Sequence, residues 1–487
     1  MPSTPVCGSW VPGATRCGGP ACHEASHVVN PSVQQGGAAV TRLGVLCVVL
    51  PALLAAPCSE TAGAGPELPR RPFVGVRLEA SDPGVKIVHI FPDSSGWRSG
   101  LKVGDRVLAI GDTQVTAVAD FLSAMKRYRT GDRLPCRVVR DDKESVIQLE
   151  LTEWPREKSG DLDVLYDSVA AKEATLRCII TKPKTARPGA KVPAVLYIQG
   201  IDCSSVEAPF ASPDPTRQLV YELTRSGFAV MRCEKRGVGD STGTPCTQLG
   251  LHEEVADFVS ALKKLKAYDF VDSRKIFLFG HSAGGWVAPL AAAQEPVQGI
   301  IVYGTVVRPF AEYLVENRRR NQRLRSRHDP AELEGELRLL ARFLHQVLTE
   351  KRDVDAVLKE TPAFAQAAKV VFPETRDLAY NVRPLRYFQE INDRNMAQVW
   401  ADLGVPVLAL VGEFELRTAA FDHEYLAEIV NARHPGRGTW KRLPRMDHGF
   451  TLHTSLADSA RNEFKGPFGN QVVLESAEWM RRVLGGS

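Results

Sequence analysis

The chain has 487 residues, enough for two or three domains, and its 44% hydrophobic and 24% charged composition is that of a globular protein. Its 61 basic and 57 acidic residues leave a net charge of +4, too small to indicate nucleic acid as a partner. The ten cysteines include no C-x-x-C pair and no metal-ligand spacing with histidine, so neither a structural zinc nor any other cofactor is expected.

Residues 1–39 are rich in Gly, Pro, Ser and Cys with no apolar periodicity, and read as disordered or as an extension upstream of the true start. Thr41-Arg42-Leu43 then opens an apolar stretch to Ala56, with a small-x-small site at Ala62-Gly63-Ala64. About 14 apolar residues behind one positive charge have the layout of a secretory signal and are short for a membrane span. Residues 40–64 are therefore expected to be a signal peptide, and the mature protein to be periplasmic or extracellular with no stable membrane span. Lipidation at Cys58 is the lesser alternative, because Pro57 stands where a lipoprotein signal wants Gly or Ala.

Residues 72–153 read as a small β-rich module. Strands are expected over Pro72–Leu78, Val85–Ile90, Leu134–Val139 and Ser145–Leu151, with a helix over Asp120–Tyr128. Together with Gly100-Leu101, Gly104-Asp105 and Ile110, this pattern resembles a PDZ domain of the circularly permuted bacterial kind. The resemblance implies that Phe73, Val74, Gly75 and Val76 present backbone N–H groups to a peptide carboxyl terminus, the peptide adding as a strand along the sheet edge. The alternative is a module that only packs on the next domain. Ser94-Ser95-Gly96-Trp97 replaces the usual Ser-Pro-Ala stretch, which brings Trp97 near the groove.

From residue 160 onward, strands alternate with helices. Buried strands are expected at Val192–Ile198, Phe228–Cys233, Lys275–Phe279 and Gly299–Gly304, and a helix at Leu251–Ala267 carries Val255, Phe258, Leu262 and Leu265 on one face. Such alternation predicts a mostly parallel sheet with the site at the carboxyl ends of its strands. Phe279-Gly280-His281-Ser282-Ala283-Gly284-Gly285 sits between a strand and a small-residue helix, the G-x-S-x-G pattern of a nucleophile elbow. The two glycines let the chain pass close to its neighbours while the serine is held in a strained turn.

With this elbow, residues 160–487 resemble the α/β-hydrolase family. The expected fold is a mostly parallel sheet with helices on both faces, preceded by the PDZ-like domain. Arg236-Gly237-Val238-Gly239-Asp240-Ser241-Thr242-Gly243 matches the family's turn after its fourth strand, and its glycine spacing is wrong for a dinucleotide site. The resemblance assigns the oxyanion donors to the N–H groups of Ala283 and Ile201, although Gln199 replaces the histidine common before that loop's glycine. The same fold makes the third and fourth strands neighbours. Cys203 and Cys246, just beyond their ends, are then either a disulfide or two buried thiols.

Residues 308–400 are expected to form a helical cap inserted after the sixth strand. Asp329-Pro330 starts a helix with Leu333, Leu337, Leu340, Leu344 and Leu348 on one stripe. The run Arg318-Arg319-Arg320 reads as a solvated face balanced by nearby acids, rather than as a site for an acidic ligand. Glu415, in Gly412-Glu413-Phe414-Glu415 after the penultimate strand, takes the place of the family's triad acid, with Glu413 and Asp422 as alternatives. Asp447-His448-Gly449-Phe450 resembles the catalytic-histidine loop, and the order Ser282, Glu415, His448 is the one this fold requires. The expected function is an exported serine hydrolase acting on a carboxylic ester of modest size through an acyl-enzyme. The rival readings are a serine peptidase or aminopeptidase taking short peptides, and a PDZ-based peptide-binding protein with a catalytically weak hydrolase domain.

Overall fold

The computed structural model describes Gly65 and residues 67–184, 189–210, 214–325, 329–373, 378–379 and 382–485. The expected extension at 1–39, the signal segment at 40–64 and Cys58 lie outside these residues. Among the described residues, no helix is long and apolar enough to cross a membrane, and no cluster of His, Cys, Asp and Glu is arranged to hold a metal ion.

The first module has a sheet in the order β2 (Val76–Ala80), β3 (Val85–Ile90), β4 (Arg106–Ile110), β6 (Arg133–Arg140) and β7 (Lys143–Glu150), with β5 (Thr113–Gln114) paired to β4. Helices α1 (Ser95–Arg98) and α2 (Val118–Met125) complete it, around a core that includes Val85, Ile87, Val107, Phe121, Leu134 and Leu149. The stretch Pro72–Leu78 is two strands rather than one. Strand β1 (Pro72–Phe73) pairs with β8 (Thr152–Glu153), and the chain turns at Gly75, whose φ is 76°. A side chain there would run into Ser94, 2.0 Å from its Cβ. Because β2 is the terminal strand of its sheet, its outer edge is unpaired beside α2.

The second module is an eight-stranded sheet with β9 (Leu162–Ala171), β10 (Ala174–Pro183), β11 (Val192–Ile198), β12 (Ala229–Cys233), β13 (Val271–His281), β14 (Gly299–Tyr303), β17 (Val407–Gly412) and β18 (Gly438–Leu443). Their spatial order is β9-β10-β12-β11-β13-β14-β17-β18. Strand β10 runs antiparallel to both its neighbours, β9 and β12, and the six strands from β12 to β18 are parallel to one another. Alternate residues of the buried strands feed two cores, as a period of two requires. Ile276, Leu278, Ile300 and Val302 meet α4 (Leu251–Ala267) and α5 (Gly284–Ala292), whereas Phe277, Phe279, Ile301 and Tyr303 meet α3 (Pro215–Arg225) and α14 (Gln471–Gly485).

The insertion between β14 and β17 carries α6 (Phe310–Arg325), α7 (Pro330–Leu344), α8 (Val354–Glu360), α9 (Ala365–Val371), α10 (Leu385–Asn392) and α11 (Met396–Asp402). Between α9 and α10 lies a two-stranded ribbon, β15 (Leu378–Ala379) with β16 (Arg383–Pro384). Asp329 caps α7 by accepting from the Ala331 N–H at 2.7 Å, with Pro330 at the first turn. Helices α12 (Ala420–Arg433) and α13 (Leu456–Asn462) follow β17 and β18 respectively.

The segment leading into the first module is held to the second by buried charge, and the modules themselves meet through aromatic rings. Arg70 is bound by Glu207 at 2.6 Å and by Asp240, which also pairs with Arg177 at 3.1 Å. Phe73, Phe91 and Trp154 pack on Phe210, with ring centroids 4.3–5.6 Å from it. Phe73 is thus part of this junction, while the edge of β2 stays open.

Candidate active site

Strand β13 ends at His281 and α5 begins at Gly284, so the turn between them presents Ser282 above the carboxyl ends of the sheet. Ser282 has φ 54°, a left-handed conformation that costs a non-glycine residue free energy and marks a constrained turn. Its N–H donates to the Tyr303 carbonyl at 2.8 Å. Close packing explains the glycines. A Cβ on Gly280 would lie 2.5 Å from the Gly284 carbonyl oxygen, and one on Gly284 would lie 2.1 Å from that of Ile198.

Ser282 lines a cavity of about 410 Å³ together with Gly200, Ile201, Ala283, Gly304 and His448. Ala283 is the first residue of the turn into α5, so its N–H belongs to the unpaired set at a helix start. Phe310, Tyr313 and Val382 bring the insertion into the same cavity, beside Trp286, Val306 and Phe464. The walls are mainly apolar, with polar groups gathered near Ser282, a layout suited to a small organic ligand.

His448 Nδ1 donates to Glu415 Oε2 at 2.8 Å, which leaves Nε2 with a lone pair to accept a proton. Both side chains are buried. Burial pushes the Glu415 carboxyl upward, but the His448 imidazole and the N–H groups of Arg417 and Thr418 outweigh it and hold the group down at about 2. Gly304 is the floor under this pair, since a Cβ there would sit 2.8 Å from His448 Nδ1. The two alternative acids are engaged elsewhere. Glu413 accepts from the Arg445 N–H, and Asp422 is gripped by both arms of Arg308.

Several further groups support this arrangement. Asp447 is fully buried and accepts from the N–H groups of Gly449, Thr451 and Phe464, and it pairs with His453 at 3.0 Å, so it organises the histidine loop. His281 donates from Nε2 to the His448 carbonyl, and burial followed by the charge of His448 lowers it to about 4, so it stays neutral and braces the loop. His423 Nδ1 donates to the Ala419 carbonyl and its Nε2 accepts from the Thr305 N–H. Arginines of α6 divide their work. Arg319 pairs with Glu316 and Glu334, while Arg320 donates to the carbonyls of Leu416 and Thr418 beside Glu415. Cys203 and Cys246 are joined as a disulfide across the loops after β11 and β12.

Two family profiles match the chain: "Serine aminopeptidase, S33" over residues 215–369 and "PDZ domain" over residues 72–151. Esterase EstD of Thermotoga maritima is 24% identical over 304 residues, covering 62% of this chain and 64% of the esterase. Prolyl endopeptidase FAP of Homo sapiens is 26% identical over 197 residues, covering 39% of this chain and 24% of that protein. The chain thus matches less than two thirds of the length of either relative. Among solved structures, Est1E of Butyrivibrio proteoclasticus with ferulic acid aligns at TM-score 0.42 and 16% identity, over 65% of this chain and 99% of that one. The strand order, the elbow between β13 and α5, and the two profile matches agree: the chain carries the α/β-hydrolase fold, preceded by a PDZ domain.

Proposed function

We propose that the protein is a serine hydrolase that cleaves a carboxylic ester of modest size. Ser282 attacks the acyl carbon, His448 takes its proton, and Glu415 orients the imidazole and stabilises its positive charge. The N–H groups of Ala283 and Ile201 receive the oxyanion, and water then hydrolyses the acyl-enzyme. The observation that carries this reading is the buried His448–Glu415 pair in the cavity that Ser282 enters at positive φ. The likeness to an esterase supports the ester over other acyl substrates.

A peptidase is the second reading, favoured by the matches to the serine aminopeptidase profile and to prolyl endopeptidase FAP. The open edge of β2 supports a further role for the PDZ domain in binding a protein carboxyl terminus. Export to the periplasm or cell exterior is proposed from the signal-like segment 41–64, and the Cys203–Cys246 disulfide fits an oxidising compartment. N-terminal sequencing of the mature protein tests it, an intact Met1 being the result that ends the proposal.

A fluorophosphonate probe separates the enzyme readings from a pure binding protein. The wild type should label and Ser282→Ala should not; equal labelling of the two ends the serine-hydrolase reading. Panels of p-nitrophenyl esters and of aminoacyl and dipeptidyl amides then divide esterase from peptidase by kcat/KM.

A further inference from the structure

We infer that Lys235 and Arg383 are positioning residues of the oxyanion hole, and that the helical insertion reaches the reacting centre through Arg383. This inference rests on the serine-hydrolase reading. Three consecutive carbonyls in the loop after β11 are each held by a buried cation. Lys235 Nζ donates to the carbonyl of Gly200 and, at 3.0 Å, to that of Asp202. Arg383 Nε donates to the Ile201 carbonyl at 2.9 Å, and its Nη1 reaches the carbonyl of Cys246 at 3.2 Å.

Peptide geometry turns these bonds into an orientation for the donor. The peptide group is planar and trans, so the Ile201 N–H points opposite to the Gly200 carbonyl. With that carbonyl tied to Lys235, the N–H is committed to the other side of the loop, where the oxyanion would form. The loop has little room to shift. A Cβ on Gly200 would lie 3.2 Å from Ser282 Cβ, and the disulfide at Cys203 fixes the next residue but one after Ile201. A flip of this peptide would withdraw one of two donors from the transition state.

Both cations share one anion. Glu254 of α4 pairs with Lys235 at 3.2 Å and with Arg383 at 2.6 Å, and all three side chains are at most 2% exposed. Burial, with the charge of Arg383 beside it, lowers Lys235 to about 8, against the pull of Glu254. Packing alone does not call for this arrangement, since buried ion clusters are often no more stabilising than apolar side chains of similar size. Asp202, lowered by the charge of Lys235 against its own burial, adds a second anion. The two cations are thus matched, and act on the loop through their hydrogen bonds to its carbonyls rather than through net charge. Arg383 belongs to β16, at the end of the insertion's ribbon, next to Val382 in the cavity wall.

The test uses the full-length protein and an ester that the wild type hydrolyses. Lys235→Met and Arg383→Met should each lower kcat roughly 10- to 100-fold, with KM changed less than about 3-fold, as expected when a transition-state donor is misplaced. Affinity for a trifluoromethyl ketone, whose adduct with the serine carries an oxyanion, should fall by a similar factor, while binding of the product acid should not. Arg383→Lys retains charge without the three-way fork and should fall between; it also serves if the methionine variants melt too low to assay. A folded variant with wild-type kcat, or one that loses only in KM, overturns the clamp. Absence of Ser282-dependent turnover in the wild type overturns the hydrolase reading instead, and the clamp with it.

Discussion

At the scale of single residues, the acid decides how well the site is understood. Glu415 has one carboxylate oxygen on His448 and the other on the N–H groups of Arg417 and Thr418, which accounts for its depressed pKa of about 2. Because its folded-state pKa lies below the usual 4.5, its stabilising contribution is fully present above pH 4.5 and is lost as pH falls through 2. Activity lost between pH 8 and 4 therefore belongs to another group, and Glu415→Gln should lower the plateau of the kcat/KM-against-pH profile. Glu415→Ala should reduce kcat by about 10⁴-fold, the order expected for loss of a triad acid. Glu413→Gln should cost less than about 10-fold in the same steady-state assay, since that carboxylate serves the Arg445 N–H. Ser282 and His448 are legible in the sequence because short motifs fix their neighbours. His423 is not, because its partners are set by how the loops close; Asp447 stands in the Asp-His-Gly-Phe string, but its bonds to Thr451, His453 and Phe464 are not legible there.

At the scale of elements, periodicity places most of the expected helices and strands but fixes the bounds of only some. Val192–Ile198, Leu251–Ala267 and Val85–Ile90 occur with the bounds their apolar patterns imply. The first strand of the PDZ domain breaks in two because close approach to Ser94 demands a turn at Gly75, which alternation alone does not reveal. The arginine run of α6 is the more instructive case. Its charge pattern indicates balance by acids, and Arg318 and Arg319 fit that description. Arg320 and Asn317 instead reach nearly a hundred residues ahead to the carbonyls beside Glu415. Such a prop is invisible to any local pattern. Arg320→Ala should lower stability by about 1–2 kcal/mol, because charge-assisted hydrogen bonds to a buried loop are lost. It should also reduce kcat severalfold. Arg319→Ala removes a surface ion pair and should cost less than about 1 kcal/mol with no change in kcat. Equal melting temperatures and rates for the two variants would refute the distinction.

At the scale of the whole molecule, the PDZ domain and the hydrolase sheet are welded by groups that the chain separates widely. Arg70 and Asp240 are 170 residues apart, and nothing local marks either as half of a buried pair. The same junction buries Glu234, which accepts from Ser205 Oγ and, at 3.1 Å, from the Val206 N–H, with Arg71 at 3.8 Å. Burial, aided by the nearby charge of Glu207, outweighs those partners and raises its pKa to about 7. The sign is opposite to that of Glu415. Between pH 4.5 and 7 the unfolded chain has lost this proton while the folded one retains it, so stability contributed here falls as pH rises through that window. A shift of this size corresponds to about 3 kcal/mol once pH exceeds 7. Glu234→Gln cannot titrate, so the variant should gain stability relative to wild type progressively from pH 4.5 to 7, and the difference should level off above that. Guanidinium unfolding of both proteins at pH 4.5, 5.5, 6.5 and 7.5 reads that difference directly. A stability difference that stays constant across the series would mean that Glu234 is ionised throughout, and that the junction holds a charged carboxylate rather than a protonated one.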